Sequence, residues 1–355
     1  MTYRVIQWAT GGVGRAAIQA ILSHPELELV GVWVHSADKV GRDAGEIADG
    51  NAVGVSATND VDALLALEAD CVLYSPVMAD RKTVIRILES GKNVVTPLNW
   101  FYPAPNDVRD LEAACQQGAV TLHGTGIHPG GITERFPLMI SALSRNVRHV
   151  RAEEFSDIRS YGAPFVVGEI MLFGKTPEEA AKSAMPAMMG GGFTQSIDMI
   201  ADTLGFELDA EKRARHEVSV ATAVIDSPIG PIAPGRVAAQ RFTWEATVRG
   251  EPVITVRTNW FMGQENLDPA WDFGPEGERF EVEVTGDPPC KVSFHRWHPE
   301  SIEAGLERNP GIVATAVHCV SAVPYVCRAE PGIRSYLDLP LVAGRAAPDL
   351  MRAGA

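Results

Sequence analysis

The chain predicts a two-domain α/β protein: a parallel sheet with helices on both faces, then an α+β domain on an open, largely antiparallel sheet. Three observations predict it. A glycine-rich turn, Ala9-Thr10-Gly11-Gly12-Val13-Gly14-Arg15, lies directly between a strand pattern and a helix pattern. The first third alternates strand-like and helix-like stretches, which implies parallel strands joined by helical crossovers. After about residue 145 the segments lengthen and take the period-2 or β-branched look of antiparallel strands.

In order, Tyr3–Trp8 reads as a buried strand, 14–23 as a helix ending before Pro25, and 27–34 as a second strand. Residues 69–75 are apolar and β-branched; 82–90 form an amphipathic helix stopped by Gly91; Asn93–Thr96 is another strand. A helix over 107–117 is closed by Gly118, and 119–123 begin a further strand. Later strands are expected at 147–155, 218–225, 236–248, 252–260 and 279–285, with turn dipeptides such as Arg249-Gly250 and Gly286-Asp287 between them. Residues 176–204 read as helices broken by Gly190-Gly191-Gly192. Asn309-Pro310 opens a helix that runs to Pro324 and is apolar nearly all round, hence buried. The expected domains are 1–145, 146–300, and a C-terminal helix and tail, 301–355, returning to the first.

Composition narrows the class. A length of 355 residues suits two domains, and 46% hydrophobic with 21% charged residues builds a sizeable core. A net charge of −14 argues against nucleic acid as a partner. No stretch approaches the roughly 20 apolar residues of a membrane span. The N-terminus runs straight into a strand pattern without a targeting segment, so a cytoplasmic location is expected. Cys71, Cys115, Cys290, Cys319 and Cys327 lack zinc or redox spacing; they read as thiols in a reducing compartment, and no metal is expected.

The glycine turn carries the chemistry. It is a GxGxxG pattern with Ala9 in the first glycine position, and such a turn cradles a pyrophosphate at a helix N-terminus in a Rossmann-type domain. Thr10, Gly11, Gly12, Val13 and Gly14 are its candidate cofactor contacts. Where an NAD site usually carries Asp or Glu after the second strand, this chain has His35-Ser36, with Lys39 and Arg42 close behind. Ser36 is suited to a 2′-phosphate, and His35 or Lys39 to its charge, so NADP(H) is preferred over NAD(H). The alternative has His35 and Lys39 solvated and Asp38 turned inward for NAD. Ser75, Pro76 and Thr96, at strand ends, are further cofactor contacts.

Beyond the turn, three more stretches mark a wider likeness: Val40-Gly41-Arg42-Asp43-Ala44-Gly45, Gly124-Thr125-Gly126-Ile127-His128-Pro129-Gly130, and Ser321-Ala322-Val323-Pro324 running on to Glu330-Pro331-Gly332 and Asp338-Leu339-Pro340. In this order, across nearly the whole chain, they resemble the dihydrodipicolinate reductase-like oxidoreductases that include 2,4-diaminopentanoate dehydrogenase and the native amine dehydrogenases. The resemblance implies an NAD(P)H-dependent enzyme, commonly a homodimer, that transfers hydride at a C=N or C=O centre. Its reaction would be reductive amination of small ketones or aldehydes with ammonia, and the reverse. It also implies a cofactor contact at Ser321, where the group tends to hold an Asn, against a reading as a capping or core serine; Gly126 is a further candidate cofactor contact.

The chain departs from that group at one point. The group carries a glutamate just after the strand equivalent to Asn93–Thr96, to bind ammonia and handle protons; here the segment reads Pro97-Leu98-Asn99-Trp100-Phe101-Tyr102-Pro103, with no carboxylate. Asn99 is the nearest polar residue; an amide orients a carbonyl, imine or water but is no general base. Glu153, Glu154 or Asp157 on the next strand are the alternative sources of a carboxylate. His128 is the second catalytic candidate, as a proton donor, against a reading as a mere loop residue. Trp100 and Tyr161 are candidate substrate-pocket residues; Phe101, Tyr102, Trp260, Phe261 and Trp271 divide between pocket and core. His318 reads as a satisfied core histidine. The rival functions are a ketone or imine reductase indifferent to ammonia and an NADP-binding sensor without catalysis.

Overall fold

The computed structural model describes residues 2–161, 163–274, 277–295, 309–346 and 350–351. Its contacts divide the chain into two compact units, Met1–Ile127 with Ile312–Ala355, and His128–Gly311.

The first unit is built on a seven-stranded parallel sheet among the described residues. Its strands are β1 (Tyr3–Trp8), β2 (Leu27–Trp33), β3 (Ala57–Thr58), β4 (Cys71–Tyr74), β5 (Asn93–Thr96), β6 (Thr121–Gly124) and β14 (Gly332–Ile333), in the order β14-β6-β5-β4-β1-β2-β3. The reversal of order beside β1 is the Rossmann switch point, where ligands meet open α/β sheets. Helices α1 (Gly12–Ser23), α2 (Ala44–Ile47), α3 (Val61–Leu65), α4 (Arg81–Glu89) and α5 (Arg109–Gly118) connect the strands. The core follows from near-continuous apolar strands: Ile6, Val72, Tyr74, Val94 and Leu122 pack against Val84, Ile87 and Leu111 of the helices.

The second unit opens with a π-helical turn at Gly131–Arg135 and α6 (Phe136–Ser141). Its sheet holds β7 (Arg145–Asp157), β8 (Arg213–Ala221), β9 (Val237–Val248), β10 (Glu251–Phe261), β11 (Leu267–Asp268), β12 (Arg279–Asp287) and β13 (Cys290–His295). The order is β11-β8-β9-β10-β7-β12-β13, antiparallel except for the parallel β7–β10 pair. One face is apolar: Val150, Phe242, Trp244, Ile254 and Val256 pack beneath α8 (Met185–Leu204), which follows the short α7 (Pro177–Ala181). The opposite face carries charged side chains.

The sequence reading drew the first boundary near 145; the contacts put it at Ile127/His128, because the segment after β6 packs on β7, β12 and α8. The expected break at Gly190-Gly191-Gly192 does not occur, and α8 runs through all three. Gly190 serves packing instead: a Cβ there would stand 2.9 Å from Trp244 Nε1. The C-terminal helix, α9 (Pro310–Val326), opens at Asn309, whose Oδ1 accepts from Gly311 N–H at 3.1 Å, and continues past Pro324. No helix of the described residues is long and apolar enough to cross a membrane.

Candidate active site

Between β1 and α1 the chain makes the turn that the glycines require. Ala9 sits at φ 77°, a left-handed conformation that glycine adopts without cost. A Cβ on Gly14 would lie 2.1 Å from the Ala9 carbonyl oxygen, so only glycine lets α1 close down on the turn. A Cβ on Gly11 would meet nothing within 4 Å, so that side is open. Gly11, the N-cap, gives α1 no side-chain acceptor, and the first-turn N–H groups and positive dipole end are left for an anion. A pyrophosphate fits this cradle.

Gln7, fully buried in mid-strand, holds the turn from below. Its Nε2 donates to the carbonyls of Trp8 (3.1 Å) and Ala9 (3.0 Å) and to Ser75 Oγ (2.9 Å). Ser75 Oγ in turn donates to Trp8 C=O at 3.3 Å, so its hydroxyl braces the ends of β1 and β4, with Pro76 next in the chain. Sequence reading missed Gln7; a lone amide inside an apolar strand was the signal.

His35 and Ser36 follow β2 and are exposed. Lys39 folds back over the turn, its Nζ donating to Thr10 C=O and Thr10 Oγ1, each at 3.3 Å. Burial lowers the Lys39 pKa, and Arg15 and Arg42 lower it further, against Asp38. Three cations therefore share this edge, although Arg15 also meets Asp49 at 3.4 Å. In the 40–45 stretch, Asp43 accepts from the N–H groups of Gly45, Val53 and Gly54, which clamps the loop after α2. That stretch is architectural.

At the ends of β5 and β6, Thr96 is buried and its carbonyl accepts from Thr125 N–H at 2.8 Å. Asn99 Oδ1 accepts from Trp100 N–H at 2.8 Å and steadies Trp100 at φ 61°. A Cβ on Gly124 would stand 2.3 Å from the Asn99 carbonyl oxygen, so this loop lies directly on the strand end. The Trp100 ring packs in the core of the parallel unit with Val72, Val94 and Leu122, so it is a core side chain rather than a pocket wall. Phe101 and Tyr102 line a cavity of about 230 Å³ with Pro105, Val108 and Ile333. Gly126 is buried in the loop beyond β6. Beside it the Tyr336 hydroxyl bonds Thr125 Oγ1 and lies 2.7 Å from His318 Nε2, which satisfies His318. Ser321, on α9, lines a groove of about 430 Å³ with Ala16 and Gln19 of α1.

In the second unit His128 has both ring nitrogens engaged. Nε2 lies 3.3 Å from the Arg257 carbonyl, which only accepts, so Nε2 carries the proton and Nδ1 accepts from Thr133 Oγ1 at 3.0 Å. Phe193 packs on the ring at 4.8 Å. Burial pushes its pKa down to about 3, against the Arg257 carbonyl. A neutral, doubly bonded imidazole has no proton to give at neutral pH; it pins the loop.

The three carboxylates of β7 separate cleanly. Glu153 faces the charged side, bonded by Arg151, Arg257 (3.4 Å) and Asn259 Nδ2 (2.9 Å). Asp157 accepts from Arg159 N–H and pairs with the Arg159 side chain. Glu154 faces the apolar side, where Oε1 accepts from Ser156 Oγ (2.6 Å) and Trp260 Nε1 (3.3 Å). Burial raises its pKa to about 7, against those two donors. Tyr161 is brought to the same place: burial and the Glu154 charge both raise its pKa. Glu278 stands nearby, raised to about 7 by burial, Asp157 and Glu154. Trp260 and Trp271 are partly buried against a cluster that includes Phe155 and Phe261.

A glycine cradle at the switch point of a parallel sheet defines a dinucleotide-binding domain, and the family to which the chain belongs makes the class that of NAD(P)-dependent oxidoreductases. The chain belongs to the 2,4-diaminopentanoate dehydrogenase family. The family model for the 2,4-diaminopentanoate dehydrogenase C-terminal domain matches residues 132–352, and that for the dihydrodipicolinate reductase N-terminus matches residues 5–96. An amine dehydrogenase of Streptomyces virginiae is 33% identical over 95% of this chain and 96% of its own. The 2,4-diaminopentanoate dehydrogenase of Acetoanaerobium sticklandii is 26% identical over 95% of this chain and 93% of its own. In fold, the chain is similar to the amine dehydrogenase of Mycobacterium smegmatis, with TM-score 0.77 and 21% identity, over 97% of this chain and 98% of that one.

Proposed function

We propose that this protein is an NADP(H)-dependent amine dehydrogenase acting on small, mostly apolar ketones, aldehydes and the corresponding amines. The observation that carries the reading is the pyrophosphate cradle at residues 11–14 in a chain 33% identical to an amine dehydrogenase over 95% of its length. The bound dinucleotide supplies or accepts the hydride.

In this reading Gly11, Gly12, Val13 and Gly14 hold the diphosphate, with Thr10 fixed by Lys39. His35, Ser36 and Lys39 take the 2′-phosphate; what supports NADP is the group of cations Lys39, Arg15 and Arg42 and the lack of an acidic residue directly after β2. Ser75, Pro76, Thr96, Gly126 and Ser321 border the cofactor, and Asn99 orients the reacting group. Tyr161 walls the substrate site, and His128 positions its loop. The enzyme works as a cytoplasmic homodimer.

The test is NADPH consumption over a ketone panel, with and without high ammonium at alkaline pH, repeated with NADH. Ammonia-dependent turnover that is faster with NADPH is expected. Turnover indifferent to ammonium would favour the ketone or imine reductase, which the missing carboxylate at 97–103 supports. Binding of NADPH without turnover would favour the sensor.

A further inference from the structure

A reductive amination needs a group that takes a proton from ammonium and returns one to the departing oxygen. The segment after β5 holds no carboxylate, so that group must come from elsewhere. Among the described residues of the second unit, the shielded carboxyls divide by what surrounds them. Glu153 and Glu281 are held by arginines. Glu134 accepts from Ser196 of α8 through Oε1, while its Oε2 has no hydrogen-bond partner among the described residues. Glu278 accepts the Asp157 N–H. Glu154 is set apart by its place in the sheet: both of its donors reach Oε1, no arginine or lysine among the described residues is bonded to it, and its side chain lies on the face shared by β7 and β10.

A second observation points to a ligand at the same place. Directly across the β7–β10 ladder from Glu154 stands Thr258. Thr258 is fully buried, and its Oγ1 has no hydrogen-bond partner among the described residues. Cross-strand partners share a face of the sheet, so the row reads Phe242, Thr258, Glu154, Phe280, with Trp260 beside Ser156 one step along. A carboxylate and an unsatisfied hydroxyl set among aromatic rings make a small polar spot on an apolar sheet face. A buried hydroxyl without a partner is costly, and a nitrogen ligand that donates to its oxygen would relieve it.

We propose that Glu154 and Thr258 bind the ammonia nitrogen as ammonium, and that Glu154 carries its proton; this rests on the amine dehydrogenase reading above. The Glu154 carboxylate takes one proton from ammonium. The freed nitrogen lone pair forms the C–N bond at the carbonyl carbon, the C=O π pair passes to oxygen, and a nitrogen proton moves to that oxygen. The Glu154 carboxyl then returns its proton to the hydroxyl, which leaves as water while the C=N bond forms. A dinucleotide held at Gly11, Gly12, Val13 and Gly14 would supply the hydride that turns the C=N group into the amine, and Glu154 ends as the carboxylate it began as. The titratable groups facing it are Tyr161 and Glu278, with Asp157 behind Glu278.

The experiment has two arms on the full-length protein. In the first, carboxyl-carbon NMR of protein labelled at glutamate is titrated with pH in ammonium chloride and in sodium chloride. Ammonium, and not sodium, should lower the midpoint of a resonance that is missing from Glu154→Gln, or from Glu154→Asp if the amide variant does not fold. No ammonium-specific shift overturns the site, whatever the enzyme turns over. In the second arm, Glu154→Gln should cut ammonia-dependent kcat by about a hundredfold or more and remove the limb of the pH profile near neutrality, with NADPH affinity unchanged. Thr258→Val should raise the KM for ammonium about tenfold, the effect of one lost hydrogen bond, and leave kcat within a few-fold. Wild-type rates in both variants overturn the proposal. A shift in the first arm without any amination by wild type would instead keep the nitrogen site and remove the amine dehydrogenase reading.

Discussion

On one face of the mixed sheet Glu153 meets two arginines and an asparagine; on the other, Glu154, one residue further, meets a serine hydroxyl and an indole. Strand alternation alone sends the two carboxyls to opposite faces. On the charged face, burial would raise Glu281, but the hydrogen bonds from Arg279 and Arg151 outweigh it and bring it down to about 2. On the apolar face no cation answers, so burial dominates and leaves Glu154 near 7 and Glu134 near 8. The same side chain is a fixed anion on one face and a proton carrier on the other. Burial raises all three, and the arginines reverse the sign for Glu281 alone.

The largest effect at a fixed pH should come from breaking the charged face. Arg151 serves Glu153, Glu281 and Glu283, and Arg151→Met leaves three carboxylates short of a cation. Urea unfolding should show a loss of about 3 kcal/mol. A loss below about 0.5 kcal/mol would mean that the face is solvated like an ordinary surface.

Glu134 probes the other face. Its folded-state value, about 8, stands above the usual 4.5, so the stability it contributes is complete below about 4.5 and is lost as pH rises through 8. Between pH 5 and pH 9 the wild type should therefore fall relative to Glu134→Gln by about 4 kcal/mol, about three pKa units at about 1.4 kcal/mol each. Parallel stability curves for the two proteins would contradict this. His128 acts at the other end of the scale: depressed from 6.5 to about 3, it contributes stability that is complete above 6.5 and lost as pH falls toward 3.

The smallest effect should come from Ala9→Gly, which relieves a left-handed alanine in the parallel unit by about 1 kcal/mol. Because no charge is involved, that gain should be the same at pH 5 and pH 9. It is the reference against which the Glu134 effect is read.

Much of the parallel unit was legible beforehand. Tyr3–Trp8 and Asn93–Thr96 match their strands end to end, because a strand buried on both faces is a short, mostly apolar run bounded by turn residues. Gly11 and Gly14 were readable as a cradle for the same local reason. What escaped depends on distant partners. Gly190 looks like a helix breaker until Trp244 is known to lie beneath it. Trp100 looks like a pocket ring until Gly124 is seen to admit its loop against β6. Glu153, Glu154 and Asp157 were equivalent candidates, since alternation says that neighbours face apart but not which face α8 covers. The same holds for His128, whose neutrality comes from its burial in the second unit, against the Arg257 carbonyl.

The parallel unit is assembled from both ends of the polypeptide, with β14 adding to β6 and Ile312 of α9 lying 3.0 Å from where a Gly12 side chain would begin. During synthesis the ribosome releases all of residues 128–311 before those closing pieces emerge. The nascent nucleotide fold therefore waits, its last strand and covering helix still untranslated, while the later sheet has everything it needs.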